Sequence, residues 1–88
     1  VPHTDRLKRL KFRAWHRGTR EADYMIGGFF DRYSPEWGEA EIAWYEIVVE
    51  EDDVDIMAWA LGTGHPPAHL DNPPLIAAMR RLDYIPLP

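Results

Sequence analysis

The chain has 88 residues, no cysteine and a formal net charge of −5 at pH 7. That length allows one small domain without disulfides, so its core must be dense; four Trp, four Tyr and three Phe supply it, each large ring burying roughly 150–250 Å². There is no run of about 18 apolar residues, which excludes a membrane-spanning helix, and the basic N-terminal stretch lacks a following apolar run, which argues against a secretory signal and for a soluble, reducing compartment.

Leu7, Leu10 and Ala14 fall at helical spacing with Phe12 and Trp15 beside them, which predicts an amphipathic helix from about Asp5 to Trp15. The run Arg17-Gly18-Thr19-Arg20-Glu21 breaks it. Gly18 stands where a helix C-terminus needs a residue tolerant of positive φ, and Thr19 can accept hydrogen bonds from the first free amides of the next helix. Tyr24, Met25, Ile26, Phe29, Phe30 and Tyr33 then resume the helical period. Two helices therefore meet at a corner, and Arg13, His16, Arg17, Arg20, Glu21 and Asp23 give it more ionisable groups than a short connection needs. Within the second helix Gly27 and Gly28 each cost roughly 1 kcal/mol relative to Ala. Close backbone approach by the first or third helix would offset that cost.

Ser34-Pro35-Glu36 reads as the start of a third helix, because Ser can cap, Pro has the φ of the first helical position and Glu favours the positive end of the dipole. Trp37, Ala40, Trp44, Ile47 and Val48 form its inner stripe, with Glu39, Glu41 and Glu46 mostly outside, and it should end near Glu50. Asp52 or Asp53 can cap a fourth helix with Ile56, Met57, Ala60 and Leu61 on one face, stopped by Gly62. Gly62 to Pro74, rich in Gly and Pro, reads as a surface loop. Asn72-Pro73 opens a fifth helix with Leu75, Ile76, Met79 and Leu82 inside and Arg80 and Arg81 near its C-terminus. Pro86 and Pro88 mark a non-helical tail. The pattern predicts an all-α, compact bundle of about five short helices forming a single domain over residues 1–88.

Arg17-Gly18-x-x-Glu21 followed by Asp23 resembles the RGxxE signature of the succinate dehydrogenase flavinylation and assembly factors, called SdhE in bacteria. The resemblance continues through Phe29, Phe30 and Tyr33, and through Asp52-Asp53-x-Asp55-Ile56-x-x-Trp59 with Gly64 and Pro66, covering most of residues 6 to 82 in order. Thr19 and Ala22 depart from it, standing where bulkier apolar residues are frequent, as do Gly27 and Gly28. The resemblance implies a helical fold and an assembly factor that binds the flavoprotein subunit of succinate dehydrogenase near the point where its FAD becomes covalently attached to a histidine. The fumarate reductase flavoprotein is a second candidate client. It also implies that the motif is the contact surface, a partner-binding site of Arg17, Gly18, Arg20, Glu21 and Asp23, which His16, adjoining the corner, would widen. No cofactor would be bound stably, since the protein would act on the FAD of its partner, in the cytoplasm of a bacterium or the mitochondrial matrix of a eukaryote.

Other chemistries have less support. Residues 1–20 hold seven Lys or Arg against one Asp, and residues 21–88 hold three against fourteen acidic residues. So polarised a molecule should meet a partner by one face, but the acidic remainder would repel phosphate and no nucleic-acid motif is present. There is no cysteine nucleophile, phosphate-binding glycine loop or GxSxG elbow, so no enzymatic activity is expected. Glu50, Glu51, Asp52, Asp53 and Asp55 lack the spacing of a calcium loop and read as a helix cap with solvated charge. Pro66 and Pro67 deny His65 and His69 a shared helix, and no metal is assigned. The alternative to the assembly factor is a generic helical interaction module that binds through the acidic face around Glu50 to Asp55.

Overall fold

The apolar stripe of Leu7, Leu10 and Ala14 folds α1 (Pro2–Trp15) onto α2 (Arg20–Tyr33) as an antiparallel hairpin. Lys11 lies opposite Asp31 and the Trp15 ring lies against Gly27. A 3-10 turn (Ser34–Glu36), α3 (Glu39–Val48), α4 (Asp53–Leu61), a second 3-10 turn (Ala68–Leu70) and α5 (Pro73–Arg80) complete the all-α chain. The computed structural model describes residues 2–85, with side chains over 5–85; Pro86 and Pro88 lie outside the described residues. No helix among them is long and apolar enough to cross a membrane. The radius of gyration, 12.1 Å, matches the value of about 12 Å expected for a close-packed chain of this length.

The third helix starts later than Ser34-Pro35-Glu36 suggests. Those residues form one 3-10 turn, Trp37 is extended at ψ 141°, and α3 begins at Glu39. Gly38 is its N-cap, with its N–H donating to Glu41 Oε1 at 2.8 Å. The break lets the Trp37 ring fold back onto Phe29, Phe30 and Tyr45, with centroids 5.8, 5.9 and 5.2 Å away. Each such pair adds about 0.5–1.5 kcal/mol beyond area burial, and together they outweigh the local helix signal. The break also resets the inner face. Ile42, Tyr45 and Val48 are buried completely, whereas Ala40 and Ile47, expected inside, are exposed. Helix α3 ends at Val48, two residues short of Glu50.

Phe29 is the centre of the core, packed by the rings of Tyr33, Trp37, Tyr45 and Tyr84 at 5.2 to 5.8 Å. Three of the buried rings find backbone acceptors for their polar ends, as burial favours, whereas Trp37 Nε1 is buried without a partner among the described residues. Tyr45 Oη donates to the Ile26 carbonyl at 2.6 Å, Tyr84 Oη to that of Met79 at 2.6 Å, and Trp44 Nε1 to that of Leu70 at 2.8 Å. Burial pushes both phenols above their ordinary range, so they remain protonated donors. The Gly62–Pro74 segment is therefore more than a surface loop, since its 3-10 turn inserts Leu70 completely into the core.

Helix α4 stops at Gly62, which takes φ 80°, as expected of a glycine C-cap. Leu61, expected on the inner face, is exposed, and Trp59 is buried in its place. The neighbours of the two α2 glycines also differ from expectation. A Cβ on Gly27 would enter the Trp15 ring of α1, and one on Gly28 would lie 2.8 Å from the Tyr84 carbonyl oxygen, so the second close approach comes from the C-terminal segment and not from α3.

Candidate functional site

At the end of α1 the chain turns through Gly18 at φ 112°. Thr19 is the extended N-cap of α2, and its Oγ1 accepts from the Ala22 amide at 3.2 Å. One turn further, Asp23 Oδ1 accepts from the Arg17 N–H at 2.7 Å, so the amide that α1 leaves free is satisfied from α2. Glu21 and Asp23 both lie in the first turn, where the helix dipole favours negative charge.

Arg17 is the keystone of the corner. Its side chain is only 11% exposed, and its guanidinium spans the corner to the α3–α4 connection. Nε donates to Asp53 Oδ1 at 2.7 Å, Nη1 to the Val49 carbonyl at 2.6 Å and, more weakly, to that of Arg13 at 3.4 Å, and Nη2 to the Glu51 carbonyl at 2.9 Å. A guanidinium has five N–H groups, and this network occupies four of them. The forked geometry satisfies carbonyls freed at the end of α3, which a lysine could not do.

The acidic run is thereby divided. Asp53 is the counter-ion of Arg17, and Glu50 Oε2 lies 3.6 Å from Arg13 Nη2, while Asp52 and Asp55 are exposed. Asp52 occupies the N-cap position of α4, but its carboxylate makes no capping hydrogen bond. Below the corner, Arg6 forks onto Glu46 at 2.9 and 2.7 Å and also pairs with Glu39. These hydrogen bonds hold the Glu46 carboxyl below its ordinary range.

Above that frame lies an exposed set. Gly18, Arg20 and Glu21 are exposed, and the side chains of Arg20 and Glu21 have no hydrogen-bond or ion-pair partner among the described residues. A Cβ on Gly18 would meet nothing within 4 Å. His16 is exposed, with Nδ1 2.7 Å from the Phe12 carbonyl and its ring stacked on Phe12 at 3.9 Å. Trp15, His16, Gly18, Thr19, Arg20, Asp23 and Tyr24 line a shallow concavity of about 540 Å³. It is open on one side, so a surface brought by a partner would cover it. Among the described residues no group of three or more His, Asp or Glu is placed to hold a metal ion.

The six residues expected at the site are thus brought together, in two layers. Arg17 and Asp23 turn their polar groups inward, and His16, Gly18, Arg20 and Glu21 face out. Sequence reasoning missed Asp53, Val49 and Glu51, whose contacts to Arg17 cross 32 to 36 residues. It also missed Tyr24, which lines the concavity from the start of the second turn of α2.

The model of the family described as "Flavinator of succinate dehydrogenase" matches residues 8–83. The chain is similar to the "FAD assembly factor SdhE" of Acetobacter pasteurianus, 40% identical over 57 residues that make up 65% of this chain and 52% of that one. It is also similar to the protein named "Succinate dehydrogenase assembly factor 2, mitochondrial" of Scheffersomyces stipitis, 36% identical over 52 residues, 59% of this chain and 35% of that one. The aligned part is thus about half the length of the bacterial relative and about a third of the yeast one.

Proposed function

The chain belongs to the succinate dehydrogenase flavinator family, and on that premise we propose that it binds the flavoprotein subunit of succinate dehydrogenase and promotes covalent attachment of that subunit's FAD. The observation that carries this function is the state of the corner. Among the described residues Arg20 and Glu21 stand unpaired beside Gly18, on a turn held from beneath by the largely buried guanidinium of Arg17. A surface fixed by its own fold loses little freedom on docking, and its unpaired charges are free for a partner.

Each residue has a separate task. Gly18 supplies the left-handed turn and leaves space for close approach of the partner's backbone. Arg20 offers a forked donor to a carboxylate or carbonyl, and Glu21 accepts from a partner cation or amide. His16 widens the contact. Arg17 and Asp23 position the turn. The covalent bond joins the subunit's own FAD to a histidine of that subunit, so this chain acts by favouring the partner conformation in which those groups meet, and not as an enzyme. It keeps no FAD of its own, and a fumarate reductase flavoprotein of the same design is a second client. The site of action is where that subunit matures, a bacterial cytoplasm or a mitochondrial matrix.

Binding through the acidic face around Glu50 to Asp55 is disfavoured because Asp53 and Glu50 are already engaged by Arg17 and Arg13. Incubation of the apo-flavoprotein subunit with FAD, with and without this chain, tests the function. Covalent flavin fluorescence on a denaturing gel should rise with the chain present. Equal fluorescence in both samples, with a subunit that a known flavinator does load, would contradict it.

A further inference from the structure

Helix α1 carries two stripes. Leu7, Leu10 and Ala14 face the core, and Lys8, Lys11, Phe12, Trp15 and His16, at i, i+3, i+4, i+7 and i+8, form a second, outer stripe beside it, whose Lys11 and Trp15 rest against α2. Phe12 is 62% exposed on that outer stripe. A single exposed apolar ring is ordinary, but this one is not single. With Lys8, Lys11, Trp15, His16 and Asp31 it lines a concavity of about 520 Å³ whose walls are chiefly apolar. Trp15 and His16 also line the corner concavity, so the two are continuous.

We propose that the outer stripe of α1 is a second docking surface beside the corner, and that it receives a segment of the flavoprotein subunit presenting an apolar side chain flanked by carboxylates. The proposal rests on the function given above. Charge complementarity selects this occupant. The one acid of the concavity, Asp31, is already engaged by Lys11 Nζ at 3.5 Å and by Trp15 Nε1 at 3.2 Å. Lys8, which also lines the concavity, has no ion-pair partner among the described residues, so its positive charge is uncompensated there. The apolar requirement comes from the Phe12 and His16 rings, stacked at 3.9 Å and tied by the contact of His16 Nδ1 with the Phe12 carbonyl. They form a preordered flat face that loses little freedom when covered.

Titration of the purified flavoprotein subunit against the full chain and its Phe12→Ser, Lys8→Glu and Glu21→Ala variants tests the proposal. Phe12→Ser should weaken binding about tenfold, the size expected for truncating an aromatic that becomes buried in an interface, with helicity and Tm unchanged because the ring lies outside the core. Lys8→Glu should weaken it severalfold near 0.1 M salt and much less near 1 M, where screening is strong. If Phe12→Ser and Lys8→Glu bind like wild type while Glu21→Ala does not, the corner is the whole interface and the proposal falls alone. If Phe12→Ser alters only self-association in sedimentation, the stripe receives a second copy and the proposal is overturned. If the wild-type chain does not bind the subunit, the function falls and takes the proposal with it.

Discussion

Arg17 Nε lies 2.7 Å from Asp53 Oδ1, so the first residue of the corner motif is bound to the first turn of α4, 36 residues downstream. The same guanidinium takes the Val49 and Glu51 carbonyls. One cation therefore joins both inter-helix connections, and the turn that displays Gly18, Arg20 and Glu21 inherits its position from α3 and α4.

Stability should separate the two layers of the corner. Arg17→Ala leaves three carbonyls, one of them weakly bound, and the Asp53 carboxylate without their donor, and should cost about 3 kcal/mol in urea unfolding, given about 1.5–3 kcal/mol for a hydrogen bond to a charged group. Arg17→Lys should recover less than half of that. Arg20→Ala and Glu21→Ala, with no internal partner to lose among the described residues, should stay within about 0.5 kcal/mol of wild type. Equal losses at Arg17 and Arg20 would refute the layering.

Gly18→Ala should cost about 1–2 kcal/mol, because φ 112° is costly for an L-residue. Nothing within 4 Å would obstruct the methyl group, so the cost is conformational. D-alanine introduced at position 18 by chemical synthesis should therefore restore stability while still impeding client binding. A D-alanine variant as unstable as Gly18→Ala would show that a neighbour, and not the backbone, excludes the side chain.

Gly27→Ala and Gly28→Ala should destabilise by about 1–3 kcal/mol through overpacking, against the gain of about 1 kcal/mol that Ala brings to a helix interior. The first displaces an indole and should alter Trp15 fluorescence. The second meets a backbone carbonyl, that of Tyr84 at 2.8 Å, and should loosen the C-terminal segment, seen as faster amide exchange near Tyr84. A stability gain at either position would contradict the close approach.

The dependence of stability on pH should carry the mark of Glu46. Its carboxyl is held low by the hydrogen bonds from Arg6, so the pair stabilises the fold above the unfolded carboxyl's range and is lost as pH falls through the folded one. Glu46→Gln should be slightly less stable than wild type near neutral pH, since solvent screens much of this partly exposed pair. The difference should vanish in acid. A difference that grows on acidification would be inconsistent with this pairing.

What was legible in the sequence was local. Leu7, Leu10 and Ala14 mark the inner face of α1, Gly18 and Thr19 mark the turn and the cap, and Gly62 marks the end of α4, because each acts within one helical turn. What was not legible depended on distant partners. Trp37 leaves the helix signalled by Ser34-Pro35-Glu36 for three rings supplied by α2 and α3, and that displacement moved the inner face from Ala40 and Ile47 to Ile42 and Tyr45. Leu70, inside a segment that reads as a loop, is buried in the core with its carbonyl accepting from Trp44, 26 residues away. At the corner, the family resemblance named the residues to consider, but only the contacts of Arg17 with Asp53 and the α3–α4 carbonyls separate those that hold the turn from those that face outward.

The most direct measurement is covalent flavin fluorescence of the flavoprotein subunit on a denaturing gel, with no added chain, with wild-type chain, and with Glu21→Ala shown by circular dichroism to be folded. Fluorescence should rise with wild type and remain near background with the variant, because the proposed function assigns the Glu21 carboxylate, which has no partner among the described residues, to docking and not to the fold. Full fluorescence with folded Glu21→Ala would contradict the corner as the working surface.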